Sequence, residues 1–147
     1  MNYTRLEARV CLDEGFRSEP YLDTVGVATI GYGATKVLGK PVLMTGPPID
    51  EPTARQILHM DLWTACKDAQ DLFPRFGEMN DVRQEVLANM SFNLGKYRLG
   101  GFTKLLFAAE SLDYAAMADH MQDSKWYNQV GGRAVRLCNA MRDGVWS

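Results

Sequence analysis

The chain has 147 residues, enough for one domain that buries roughly 68–70% of its unfolded surface without disulfide or metal staples. Hydrophobic residues make up 46% and charged residues 23%, near the average for soluble globular proteins, which argues against disordered, collagen-like and fibrous classes. Lys plus Arg total 16 against 18 Asp plus Glu, a formal net charge of -2, so no global positive field gathers anionic polymers and no nucleic-acid partner is expected.

Helical period dominates. Thr4 and Glu7 have the capping-box spacing, and Leu6, Val10 and Cys11 repeat on one face, which predicts a first helix ending at about Asp13–Gly15. From Tyr21 to Thr35 the character changes: Thr24, Val25, Val27, Thr29, Ile30 and Tyr32 are strand formers, and Gly26, Gly31 and Gly33 supply turns. A small antiparallel hairpin or three-stranded sheet is expected there. Residues 39–48 read as a loop through Pro41, Gly46, Pro47 and Pro48.

Asp50 and Pro52 then open a long helix carrying Ala54, Ile57, Leu58, Leu62, Ala65, Ala69 and Leu72 at steps of three and four, closed by Pro74 and Gly77. Asn80 caps a second core helix with Val82, Val86, Leu87, Met90 and Leu94, stopped by Gly95. Shorter helices are predicted near Phe102–Ala109, Leu112–Gln122 and Arg133–Met141. No internal repeat or polar linker separates modules. The class is α+β, mostly helical, as one domain over 1–147: a small β-sheet lobe at about 15–50, and a helical lobe at about 65–147 together with the N-terminal helix.

Cys11, Cys66 and Cys138 are odd in number and lack Cys-x-x-Cys spacing, so they read as buried free thiols. His59 and His120 have no close acidic or thiol companions, and Lys36 lies outside Walker spacing, so no metal, nucleotide or other cofactor is expected. The opening residues lack a basic stretch followed by an apolar core, so no signal peptide is expected; no run approaches the roughly 18 apolar residues of a membrane span.

The informative stretch runs from Glu14 to Gly33. It places one carboxylate at a helix end, a second, Asp23, on the first strand, and the Thr29 hydroxyl on the next. Glycoside hydrolysis needs such a set, with one carboxylic acid to protonate the leaving oxygen and a second carboxylate to position water or stabilise an oxocarbenium-like centre. Two acids and a threonine alone are weak evidence, since acids are common in turns and at helix ends.

The full string is specific. Glu-Gly, then Tyr-x-Asp, then Gly-x-x-Thr-Ile-Gly-Tyr-Gly resembles the phage-type lysozymes, glycoside hydrolase family 24, with the family's motif falling on Glu14, Asp23 and Thr29. The resemblance continues through Asn89-Met90-Ser91-Phe92-Asn93-Leu94-Gly95, Gly101-Phe102-Thr103, and Trp126-Tyr127-Asn128-Gln129 with Arg133-Ala134. It implies a lysozyme-like fold whose long helix links the two lobes. The implied enzyme is a muramidase cutting the β-1,4 bond between N-acetylmuramic acid and N-acetylglucosamine, with bacterial peptidoglycan as partner.

Its implied setting is host lysis by an endolysin made in the host cytoplasm and released through a membrane pore. A monomer without stable membrane association is expected. By the same resemblance Glu14 is the general acid, Asp23 the partner carboxylate and Thr29 the holder of the attacking water, with inversion at the anomeric carbon. Thr35, Phe92 and Asn93 flank the substrate and Arg133 supports the general acid. Phe92 and Thr35 have an ordinary structural reading as well, and Trp126, Tyr127 and Trp146 either stack on sugars or pack the C-terminal helices.

Where many members have Gly-His-Thr this chain has Gly33-Ala34-Thr35, and Leu105 and His120 replace small polar groove residues. Two other readings stay open: a transglycosylase or chitin-active relative, and an inactive wall-binding or inhibitory module on the same fold. The intact Glu14, Asp23 and Thr29 set argues against the inactive module.

Overall fold

A computed structural model describes residues 1–147. The elements are α1 (Tyr3–Glu14), β1 (Arg17–Leu22), β2 (Ala28–Gly31), β3 (Lys36–Val37), β4 (Lys40–Pro41), α2 (Glu51–Leu72), α3 (Asp81–Leu94), α4 (Lys96–Gly100), α5 (Thr103–Glu110), α6 (Tyr114–Gln122), α7 (Lys125–Val130) and α8 (Gly132–Asp143), with one 3-10 turn at Phe76–Glu78. This is the mostly helical α+β class that the sequence implies. The residues group into two compact units, Thr4–Trp63 and Met1–Tyr3 with Thr64–Ser147; α2 runs from one into the other.

In the strand-bearing unit, α1 buries Leu6 and Val10 and ends where Gly15, at φ 69°, donates to the Cys11 carbonyl. The helix already begins at Tyr3, so Thr4 lies within the first turn. Glu7 does not close a capping box; its carboxylate meets His59 Nδ1 at 3.0 Å and Arg55 at 4.0 Å. These contacts tie α1 to the first half of α2, and from Thr4 onward α1 falls in the same compact unit as the strands.

The expected sheet forms as two separate two-stranded ribbons, β1 with β2 and β3 with β4, plus a single bridge between Ile30 and Ala34. β1 starts four residues before Tyr21, at Arg17, and its register slips between Arg17 and Tyr21, where Pro20 has no N–H for a ladder. Gly31 lets β2 approach α2: a Cβ there would lie 3.0 Å from that of Ala54. Asp50 caps α2 by accepting from Thr53 N at 2.9 Å, and its carboxyl is held below the usual range by the Thr53 side chain first and by this backbone bond second.

The helical unit holds the main apolar core, with Phe73, Leu87, Met90, Leu99, Leu105, Met117 and Met141 among its members. Asn80 caps α3 through Arg83 N, as the sequence predicts. Each side of α3 is buried, including Glu85, Asn89 and Ser91, which an apolar pattern cannot select. Helices α4 and α7 were not expected, because each is under two turns and lies against glycines that read as breaks. Trp126 is buried in this core, edge-on to Phe102, and Trp146 packs on it. Cys66 and Cys138 are buried and their thiols are pushed up to about 11, whereas Cys11 is only half-buried. No helix is long and apolar enough to cross a membrane.

Candidate active site

Glu14 is the last residue of α1, half-buried. Its carboxylate rests against the Gly31-Tyr32-Gly33 turn: a Cβ built on Gly33 would lie 2.8 Å from Glu14 Oε2, and Gly33 holds φ 81°. The positive φ favours glycine, and a Cβ there would push the Glu14 carboxylate aside. The turn itself is closed by reciprocal 2.9 Å bonds between Ile30 and Ala34 and anchored by Tyr32, whose hydroxyl donates to Glu51 Oε1 at 2.8 Å. Arg55 Nε donates to the same oxygen, and these two bonds hold the Glu51 carboxyl below its usual range.

Asp23 opens the β1–β2 turn. Its Oδ1 accepts from Val25 N at 3.0 Å and Val27 N at 2.8 Å, while its own N–H donates to the Val27 carbonyl at 3.0 Å. One carboxylate oxygen is thereby fixed by the turn, and Oδ2 remains for a ligand. Thr29 is buried, opposite Tyr21 in the ladder, and its hydroxyl donates to the Val27 carbonyl at 2.9 Å. With its hydrogen committed, the oxygen presents lone pairs to an incoming donor. The Val27 peptide unit therefore sets both Asp23 and Thr29.

Tyr21 joins these groups electrostatically. Burial raises its hydroxyl pKa most, the charge of Glu14 raises it further, Arg17 opposes, and Asp23 adds a smaller increase. Arg17 stacks over the ring at 4.3 Å. Tyr21 is a further candidate that the Tyr-x-Asp spacing contains and that its position opposite Thr29 on the ladder brings beside the others.

The remaining candidates are placed individually. Thr35 is exposed in the segment before β3, its carbonyl accepting from Val42 N at 2.9 Å. In the helical unit, Phe92 is half-buried on α3 and outside the core cluster. Asn93 follows it, with Oδ1 accepting from Trp126 Nε1 at 2.8 Å. Arg133, at the start of α8, donates from Nε to Asn89 Oδ1 at 2.9 Å. Asn89 and Trp126 are thus holders of candidate groups, which residue type alone could not reveal.

A family model for phage lysozyme matches residues 12–142. The chain is 32% identical over 145 residues to the pre-baseplate central spike protein Gp5 of Enterobacteria phage T4, an alignment covering 85% of this chain and 25% of that protein. The chain therefore spans about a quarter of the spike protein's length. It is 26% identical over 154 residues to probable T4-type lysozyme 1 of Dictyostelium discoideum, covering 90% of this chain and 91% of the relative. To the endolysin of Salmonella phage P22 it is 30% identical over 112 residues, 76% of this chain and 74% of the relative.

Proposed function

This chain belongs to the phage lysozyme family and is a glycoside hydrolase of the lysozyme type, and from that premise we propose that it hydrolyses the β-1,4 bond between N-acetylmuramic acid and N-acetylglucosamine in peptidoglycan by direct, inverting attack of water. The observation that carries the reading is the unequal placement of two carboxylates: Glu14 packed against a glycine turn at a helix end, and Asp23 with one oxygen pinned by two backbone amides.

Glu14 gives its proton to the departing sugar oxygen, which would otherwise leave as an alkoxide. Asp23 Oδ2, on the opposite side of the reacting carbon, takes the proton that the attacking water loses as its oxygen bonds to that carbon and the glycosidic C–O bond breaks, and Thr29 accepts a hydrogen bond from the same water. Tyr21 lies within the field of both acids and helps hold their environment. Thr35, Phe92 and Asn93 contact the glycan strand, with Asn93 oriented by Trp126, and Arg133 plays a supporting role from its anchor on Asn89. The enzyme acts as a monomeric endolysin, made in the host cytoplasm and released to the wall through a membrane pore during lysis.

Digestion of purified sacculi in ¹⁸O-labelled water tests this reading. Mass analysis of the products is expected to show saturated muramic acid reducing ends carrying one labelled oxygen, with the α-anomer formed first. Anhydromuramic ends would establish transglycosylation, and reducing N-acetylglucosamine ends would establish the other bond.

A further inference from the structure

Between Asp23 and Asp50 the sequence contains no acidic residue, and its only cations are Lys36 and Lys40, both exposed and neither ion-paired. In a chain with a net charge of -2 this makes the β3–β4 ribbon a local positive site. The two lysines flank the ribbon's two-residue turn, Leu38-Gly39, through the register Lys36↔Pro41 and Val37↔Lys40. Both turn residues have positive φ, 52° and 77°, the type I′ geometry in which the first position favours Asn or Gly. Leucine occupies it, with 91% of its surface exposed. A large apolar side chain is thus held in water on a conformation unfavourable to it, and nothing in the fold is gained.

The neighbouring surface continues this character. Leu43 and Met44 are exposed, and beneath them lies a cavity of about 220 Å³ walled by Ile30, Val37, Val42, Leu43 and Ile49, with Lys40 as its only charged residue. Apolar tips ringed by unpaired lysines match the depth profile of an anionic membrane surface, in which apolar side chains enter the acyl boundary and cations lie at the phosphates. An acidic protein groove would satisfy the lysines but would leave Leu38 without the deep apolar medium that its exposure fits.

We infer that the β3–β4 ribbon docks reversibly on anionic lipid bilayers, with Leu38 inserted, Lys36 and Lys40 at the headgroups, and the adjoining apolar cavity open to an acyl chain. The contact is transient, since one leucine and two lysines supply no more than a weak anchor. It is separate from hydrolysis, which proceeds on lipid-free wall material.

Cosedimentation tests it with vesicles of phosphatidylcholine alone or mixed with phosphatidylglycerol, at low and at physiological salt. The parent is expected to bind only the anionic vesicles, more weakly as salt rises. Leu38→Asn suits the positive φ, so it is expected to raise the melting temperature while weakening vesicle binding about tenfold. Lys36→Gln and Lys40→Gln each weaken binding about fivefold and reduce its salt dependence. All three are expected to keep parental turnover on lipid-free sacculi, so loss of lipid binding is read independently of the hydrolytic assignment. The proposal falls if the parent ignores anionic vesicles, if Leu38→Asn binds them as well as the parent, or if Leu38→Asn instead abolishes a concentration-dependent dimer.

Discussion

The buried polar side chains of α3 and the pair Asp23 and Thr29 are held over very different sequence distances. In the helical unit the ties are long. Glu85, buried on α3, accepts from Asn2 N, 83 residues away, and from Trp146 Nε1, 61 residues away. Arg83 donates to the Met141 and Arg142 carbonyls at the end of α8 and stacks over Tyr114, and Asn80 reaches the Gly144 carbonyl. In the strand-bearing unit, Asp23 and Thr29 bond only to backbone within four residues. Long ties close large loops and belong to a cooperative core; short ties orient a group and bring in little of the remaining fold. The geometry of Asp23 and Thr29 is therefore local, and the proposed site is expected to tolerate chemical change without unfolding of the protein.

The largest expected effect tests that separation. Glu14→Gln keeps the volume but removes the transferable proton, so turnover on peptidoglycan is expected to fall at least about a hundredfold, given that general acid catalysis is worth about 10²–10⁴. The melting temperature should stay within a degree or two. Glu19→Gln, five residues along the exposed start of the ribbon, is the control and should remain within about threefold. A near-normal Glu14→Gln beside an inactive Glu19→Gln would move the acid to the other carboxylate.

Next in size is the reverse experiment in the helical unit. Leu87 is fully buried on α3, and Leu87→Ala is expected to lose about 2–5 kcal/mol in urea unfolding through transfer and cavity terms. The turnover of the fraction that remains folded should be close to parental. A hundredfold loss of turnover with unchanged stability would break the division of labour between the two regions.

Gly33→Ala sharpens it at the point where catalysis depends on packing. The new methyl would sit 2.8 Å from Glu14 Oε2 at a φ of 81°, so the turn strains and the carboxylate moves. A stability loss of about 1–2 kcal/mol and a turnover loss of about tenfold are expected together. Kinetics and unfolding on the same preparation distinguish this from a pure stability defect.

The smallest effect concerns pH. Cys66 and Cys138 have thiols raised to about 11 by burial, above the ordinary value of 9.0 that the unfolded chain recovers. Their contribution is therefore complete below about pH 9 and is lost as the pH rises toward 11, because the unfolded state releases its protons first. Melting temperatures followed from pH 8 to pH 11 should decline, and Cys66→Ala with Cys138→Ala should flatten that decline relative to its own neutral value. An equal decline in the double variant would assign the alkaline limb to Tyr32 and its partners, whose hydroxyl is also raised by burial and by its bond to Glu51.

How much of this was legible in advance follows from the same contrast of distances. The long helix, the Asn80 cap and the glycine stops were readable because each rests on neighbours within a few residues: periodicity, cap spacing and turn chemistry are local physics. Glu14, Asp23 and Thr29 were named as candidates by resemblance to a family motif, since two acids and a threonine are weak evidence alone. Tertiary structure decided what depends on partners far along the chain. It placed Glu7 against His59 and Arg55 instead of in a capping box, divided the strands into two ribbons between β2 and β3, slipped the register of the first ribbon before Tyr21, and buried Glu85, Asn89 and Ser91 on a helix whose pattern shows only apolar positions. It also brought the Gly33 turn against a carboxylate nineteen residues earlier in the chain, so that a side chain there would displace Glu14. Burying a polar group is tolerable only when a partner is present, and for these groups the partner is brought close by folding, not by sequence order.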